Sequence, residues 1–161
     1  MVVLVDTREH KGKNDHILNY FDAHKIAYKK MALPALDYSV MLPANEELGI
    51  PHDMLFYNDI AIERKASAEE LSGNFSQNRE RFNDEFSRAR CKRRYLIIEG
   101  CNYSDIVQGN YNTQYASKSY LGSLHSFNTK YDLQIVFMPD KAYTPIFIIG
   151  VLQYYLRYIL K

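Results

Sequence analysis

The chain has 161 residues and a formal net charge of +1, and 47% of its residues are apolar. That length suits a single domain with a core of ordinary size, and near-neutrality argues against a uniformly basic nucleic-acid coat protein. An enzyme that gathers carboxylates in one place and bases in another can still be neutral overall, so the distribution of charge carries more information than the total.

Residues 2–5 are an apolar, β-branched run that reads as a buried strand, ending at Asp6-Thr7-Arg8-Glu9 before a polar loop at 10–14. Asp15 is placed to cap a helix over 16–24, with Ile17, Leu18 and Phe21 inward. A second strand is expected over 27–31, and Pro34 then interrupts backbone pairing. Residues 38–42 read as a strand and 43–52 as a turn or loop. The segment 59–65 alternates, with Ile60, Ile62 and Arg64 on one face and Ala61, Glu63 and Lys65 on the other. Ser67 and Glu70 form a capping box for a helix over 68–71.

A longer helix is predicted over 77–91, with Phe75, Phe82, Phe86 and Ala89 on one side. A strand over 95–98 ends at Glu99-Gly100, and a short helix covers 104–108. A helix over 118–130 and a strand over 134–138 follow. Thr144-Pro145 opens the last helix, where proline at the first helical position loses no hydrogen bond. The apolar stretch 146–160 is interrupted by Gly150, Gln153 and Arg157 and is shorter than the ~20 residues of a membrane span. It reads as a core or subunit-interface helix. Cys91 and Cys101 match no zinc spacing and read as reduced thiols, and no signal peptide is expected. Strands roughly alternating with helices indicate one α/β domain.

Four acids stand where strands end or loops begin: Asp6, Glu9, Asp37 and Glu63. Glu63 and Lys65 are two apart on a strand and share a face. A DNA phosphodiester is anionic and resists attack by water. Its hydrolysis calls for carboxylates that hold one or two Mg²⁺ ions, and for a cation that orients the attacking water. An acid-x-Lys pair with an Asp from a preceding strand supplies those groups, although Glu-x-Lys alone arises on any charged strand.

The ordered strings Val5-Asp6-Thr7-Arg8-Glu9, Leu33-Pro34-Ala35-Leu36-Asp37-Tyr38 and Ile62-Glu63-Arg64-Lys65-Ala66-Ser67-Ala68-Glu69 resemble the nuclease domain of the XPF/Mus-type endonucleases. Their pattern runs Val-Asp-x-Arg-Glu, Gly-Asp-Tyr/Phe, then Glu-Arg-Lys-x-x-x-Asp. The likeness continues through Arg79-x-Arg81-Phe82-x-x-Glu85 and the strand up to Glu99-Gly100, and it is greatest to short, single-domain bacterial and phage versions. It implies a restriction-endonuclease-like fold, PD-(D/E)xK in type, with a central mixed β-sheet flanked by helices. It also implies a Mg²⁺- or Mn²⁺-dependent endonuclease cutting branched, flapped or junction DNA.

By the same resemblance Asp37 and Glu63 are metal ligands and Lys65 is the water-orienting cation. Asp6 and Glu9 lie beside them as ligand or support, and Arg64 ties the site to its support by ion pairing. Arg8 would pair with Glu9 or touch phosphate. Two positions depart from the pattern. Leu36 replaces a Gly, which disfavours positive φ, and Glu69 replaces the last Asp, leaving the geometry there open.

Between Arg79 and Arg94 seven basic residues face three acids, a basic edge suited to steering phosphate. Arg79 and Arg81, with Asn74 and Gln77, are the first candidates for DNA contact. The last helix is apolar on several sides, and the resemblance implies a homodimer formed through it. No helix-hairpin-helix module is expected within 1–161, and the setting expected is the cytoplasm of a bacterium or a phage-infected cell. Two other readings stay open: an inactive DNA-binding subunit of the same fold, and a Holliday-junction resolvase-like nuclease.

Overall fold

The computed structural model describes residues 1–9 and 12–161, so part of the predicted loop at 10–14 lies outside the described residues. A seven-stranded mixed sheet forms the centre: β1 (Val2–Asp6), β2 (Tyr28–Met31), β3 (Tyr38–Leu42), β4 (Met54–Leu55), β5 (Ile60–Lys65), β6 (Arg93–Glu99) and β7 (Leu133–Met138). Its order is β2-β1-β3-β5-β6-β7, with β4 paired to the far end of β3. Strand β3 is antiparallel to both β1 and β5, and β5, β6 and β7 run parallel. The C-terminal ends of β1, β5 and β6 therefore meet the N-terminal end of β3 at one margin of the sheet. Open α/β sheets bind ligands at such strand ends.

Helices cover both faces. On one lie α1 (Asp15–Ala23) and α6 (Thr144–Ile159), packed through Ile17, Phe21, Ile148, Leu152 and Leu156 onto Val3, Val5, Val40, Ile60, Ile62 and Ile97. On the other lie α2 (Ala68–Phe75), α3 (Arg79–Arg88), α4 (Tyr103–Gln108) and α5 (Ser117–Tyr131), over Ala61, Leu96 and Ile98. The period-two alternation of a strand sorts the residues between these layers. Phe75, Phe82, Phe86 and Phe127 form an aromatic cluster with centroids 5.0–6.2 Å apart, a spacing at which ring pairs add about 0.5–1.5 kcal/mol beyond burial.

The predicted strands and helices are all present, with differences at their ends. Strand β4, which the sequence did not predict, follows the predicted loop at 43–52. Asn14, not Asp15, stands at the N-cap of α1. Helix α2 runs four residues beyond the predicted end, because Phe75 packs into the aromatic cluster. Helix α3 ends at Arg88, where the Arg94 guanidinium takes the carbonyl of Ala89 with Nε at 2.9 Å and Nη2 at 2.7 Å. Ser67 caps α2 as predicted, its hydroxyl accepting from the Glu70 N–H, while the Glu70 carboxylate reaches back to the Ala66 N–H. The last helix buries only one face. Tyr154 and Tyr158 are 66% and 71% exposed, and Ile146, Ile159 and Leu160 also face solvent.

Candidate active site

At the strand-end margin an open cleft of about 260 Å³ is lined by residues that include Asp6, Glu9, Asp37, Glu63, Lys65, Asn74, Arg81 and Glu85. Sheet register explains how they meet. Tyr38 is the one residue of β3 that pairs with β5, opposite Ile62. Just before it the Asp37 N–H bonds the Ile62 carbonyl at 2.9 Å, and the Asp37 carbonyl accepts from the Asp6 N–H at 2.8 Å. Beyond that point the ladder stops, and the Asp37 carboxylate takes the next donor on β5, accepting the Arg64 N–H at 2.8 Å. Asp37 is thus fixed between β1 and β5 by backbone bonds. The turn leading into it places Leu36 at φ 62°, in the left-handed region, with its side chain fully buried. Leu36 thus takes a positive φ at the position where the resemblance has Gly.

Glu63 and Lys65 lie on the α2/α3 face of β5 and are both buried. The Lys65 ammonium donates to Glu63 Oε1 at 2.5 Å and rests 4.8 Å from the centroid of Phe82. Burial opposes the charge on Lys65, but the carboxylates of Glu63 and Asp37 outweigh it and push the lysine pKa up. Lys65 is therefore an ammonium at neutral pH. Burial pushes Glu63 up to about 7, opposed by Lys65 and reinforced by Glu85 and Glu70. Asp37 is raised well above the usual carboxylate range by burial and by the charges of Glu63 and Glu9, against the pull of Lys65 and the Arg64 N–H.

Among the described residues, Glu63 Oε2 and Asn74 Oδ1 are buried oxygens of this cleft with no hydrogen-bond partner. An unpaired buried acceptor is costly, and two crowded, buried carboxylates resist ionisation unless a cation neutralises them. Both features fit a divalent cation held by Asp37 and Glu63. Among the described residues no three His, Cys, Asp or Glu side chains converge as a ready-made metal cluster.

The remaining predicted residues divide. Asp6 commits Oδ1 to the Leu33 N–H at 2.9 Å and Oδ2 to Arg8 Nε at 2.7 Å, and so anchors the loop that precedes Asp37. Arg8 thus pairs with Asp6 and with the Leu33 carbonyl, not with Glu9. Glu9 accepts from Tyr38 Oη at 2.8 Å and from Arg64 Nη2 at 2.5 Å. Arg64 lies on the opposite face of β5 from Lys65, ion-paired between Glu9 and Glu99.

Asn74 and Arg81 line the cleft, whereas Gln77 does not. Arg79 turns away from it: its guanidinium donates to Ser123 Oγ at 2.7 Å and lies 5.5 Å from the Phe127 centroid. Glu69 is also outside the cleft. It accepts the Asn112 N–H at 2.8 Å, which lowers its pKa and ties α2 to the loop after α4. The basic edge is likewise divided. Arg88 joins Arg81 at the cleft, Arg94 is spent on backbone carbonyls, and Arg93 lies against Tyr155 and Tyr158 of α6.

Sequence reasoning named Arg88 only within the basic edge and missed Tyr38, Asn78, Glu85 and Glu99. The signals for two of them were present, since Tyr38 adjoins Asp37 and Glu99 ends an apolar strand parallel to β5. The others depend on how α3 packs.

A mixed sheet covered by helices on both faces, with Asp37 and a Glu-x-Lys pair at adjoining strand ends, is a restriction-endonuclease-like nuclease fold. The chain belongs to the ERCC4 domain family, which it matches over residues 5–149. Among curated proteins no sequence matches it significantly. Among solved structures, XPF from Aeropyrum pernix is similar over 96% of this chain, with a TM-score of 0.66 and 17% identity. XPF from the same organism in complex with DNA is similar over 97%, with a TM-score of 0.67 and 17% identity. The chain spans 61% and 65% of the length of those two structures.

Proposed function

We propose that this domain is a divalent-metal-dependent endonuclease that hydrolyses a phosphodiester bond in branched, flapped or junction DNA. The observation that carries the reading is the Glu63 Oε2 atom, buried and unpartnered in a cleft shared with Asp37 and a charged Lys65. Asp37 and Glu63 would hold Mg²⁺ or Mn²⁺. Such an ion, when bound, neutralises phosphate charge and lowers the pKa of water.

The chain's own residues supply the rest. Lys65 stays protonated, so it acts by donating hydrogen bonds and positive charge to the attacking water and the phosphoryl oxygens, not as a base. Its contact with Phe82 and its pairing with Glu63 fix its reach. Asp6 and Glu9, with their oxygens already engaged, act as supports for Asp37 and for Arg64. Arg81 and Arg88, exposed on the cleft's α3 side, meet the DNA backbone, with Asn74 and Asn78 beside them. The DNA complex of the Aeropyrum protein supports nucleic acid as the substrate class. The exposed aromatic face of α6 supports a homodimer.

Cleavage of labelled flap, cruciform and linear duplex DNA under Mg²⁺ or Mn²⁺ tests the proposal. Cutting is expected on the branched forms and is absent in chelator. Lys65→Ala is expected to lower the rate about 10²–10³-fold, as loss of one transition-state donor does, and Asp37→Ala at least as much. Tight binding without cutting under every metal would replace the reading with a DNA-holding subunit, and equal cutting of linear duplex would remove the structure specificity.

A further inference from the structure

Glu99 ends β6 on the face of the sheet away from the cleft, and it is 1% exposed. Its carboxylate gathers three elements. Oε2 accepts from Arg64 Nη1 of β5 at 2.9 Å. Oε1 accepts from Thr144 Oγ1 at the start of α6 at 2.6 Å and pairs with His16 Nε2 of α1 at 2.8 Å. Burying a carboxylate costs several kcal/mol unless it is well paired, and an apolar side chain often serves stability better. No reacting group in the proposed chemistry touches Glu99, so its retention calls for another explanation.

That explanation lies in what Arg64 does. Its side chain and its backbone serve opposite faces of β5. The N–H donates to Asp37 Oδ2 in the cleft, and its sequence neighbours are Glu63 and Lys65. The guanidinium has only Glu9 and Glu99 as partners, because Nε has none among the described residues. Removing Glu99 leaves the guanidinium held at one end by Glu9, which itself borders the cleft. The strand segment bearing Glu63, Arg64 and Lys65 would then lose its anchor to α1 and α6.

We propose that Glu99 is a positioning residue that sets the Asp37–Glu63 pair for cation binding by holding Arg64 from the opposite face of the sheet. The proposal rests on the metal-dependent reading above for the task of that pair. A purely structural Glu99 would serve α1 and α6 equally, through His16 and Thr144, and its loss would lower stability without changing the affinity of the cleft.

Calorimetric titration of Mn²⁺ into the whole chain decides between them, alongside melting temperature and DNA affinity in chelator. Glu99→Gln keeps the shape and the acceptor oxygen but removes the charge facing Arg64. It is expected to weaken Mn²⁺ binding about tenfold, the low end of what losing a ligand's supporting partner costs, with DNA affinity in chelator unchanged. Arg64→Lys is expected to give a similar loss, and the double variant no more than either alone. Thr144→Val, which removes only the α6 contact, is expected to lower the melting temperature and leave Mn²⁺ affinity intact.

Wild-type Mn²⁺ affinity in Glu99→Gln, or losses that add fully in the double variant, would overturn the proposal. Should Glu99→Gln not fold, Arg64→Lys decides by the same criterion. A wild type that binds Mn²⁺ through Asp37 yet cuts no DNA would end the endonuclease reading, while the Mn²⁺ affinities would still decide the role of Glu99. A wild type that binds no Mn²⁺ ends both.

Discussion

Asp37 is a charge the fold holds against resistance. Burial and the carboxylates of Glu63 and Glu9 favour its neutral form, and the backbone that delivers it passes through a left-handed Leu36. A non-glycine residue in that region costs roughly 1–2 kcal/mol, offset here because the Leu36 side chain is fully buried in the core. The sequence made positive φ at this position look unfavourable, and packing reverses that expectation. The acid's effect on stability follows a definite sign. Its pKa is raised above the ordinary 3.8 in the folded state. The native protein therefore binds the proton more tightly than the unfolded chain, and stability falls as pH rises through the folded value. Asp37→Asn keeps an acceptor for the Arg64 N–H and cannot ionise. In chelator at pH 8 it is expected to melt about 2–4 °C higher than wild type, as a gain of about 1 kcal/mol gives for this size. At pH 4 the difference is expected to shrink, and saturating Mn²⁺ at pH 8 is expected to reverse the order. A lower melting temperature for Asp37→Asn at pH 8 would refute the repulsion. Asp37, Glu63 and Lys65 were legible because their order along the chain is itself a pattern. Tyr38 and Glu99 stood beside visible motifs, but their bonding roles were not legible, because their partners lie 24 to 83 residues away.

At the scale of elements, the turn between α2 and α3 decides which bases can reach DNA. The sequence places a helix over 77–91 and names Arg79 and Arg81 together as first candidates for DNA contact. The chain turns after Phe75, where the Ser76 hydroxyl donates to the Ser72 carbonyl and the Asn78 N–H bonds back to the Gly73 carbonyl. Helix α3 then starts at Arg79, with Phe82 and Phe86 buried. This rotation sends Arg79 onto Ser123 and Phe127 and leaves Arg81 on the cleft. Spacing alone could not separate two arginines two residues apart, because the helix start that sets their directions depends on the aromatic cluster. The two are expected to fail differently on substitution. Arg81→Ala should weaken binding to flap DNA and lower the magnitude of its salt dependence by about one counterion, with the melting temperature unchanged. Arg79→Ala should lower the melting temperature by about 2–4 °C, for the loss of about 1 kcal/mol of hydrogen bonding and stacking, and leave DNA binding as it was. Titrations at two salt concentrations, paired with thermal melts, check both, and loss of DNA binding in Arg79→Ala would return that residue to the interface.

The three-layer arrangement separates two tasks: the cleft opens at the strand ends, while α6 lies along the opposite layer. The sequence read α6 as apolar nearly all round, which implies a helix buried on all sides. Core packing buries Thr144, Pro145, Ile148, Leu152 and Leu156. A second stripe, Phe147, Val151, Tyr154, Tyr155 and Tyr158, borders a groove with Tyr95 and Arg93 of β6 and remains partly open to solvent. With 16 residues, the helix is about 24 Å long, so two copies laid face to face could bury a stripe along their whole length. Tyrosine and arginine are favoured at interface centres because they combine apolar area with a polar end. A homodimer through this face therefore follows as an expected outcome. Wild-type protein should sediment as a dimer, with dissociation on dilution into the low micromolar range. Tyr154→Glu with Tyr158→Glu should give a folded monomer, since both side chains are exposed and exposed positions usually tolerate substitution within about 0.5 kcal/mol. If cleavage of branched DNA needs two subunits on one substrate, that variant should lose flap cutting while keeping Mn²⁺ affinity at Asp37 and Glu63. A wild type that stays monomeric at high micromolar concentration would assign the stripe to a different partner.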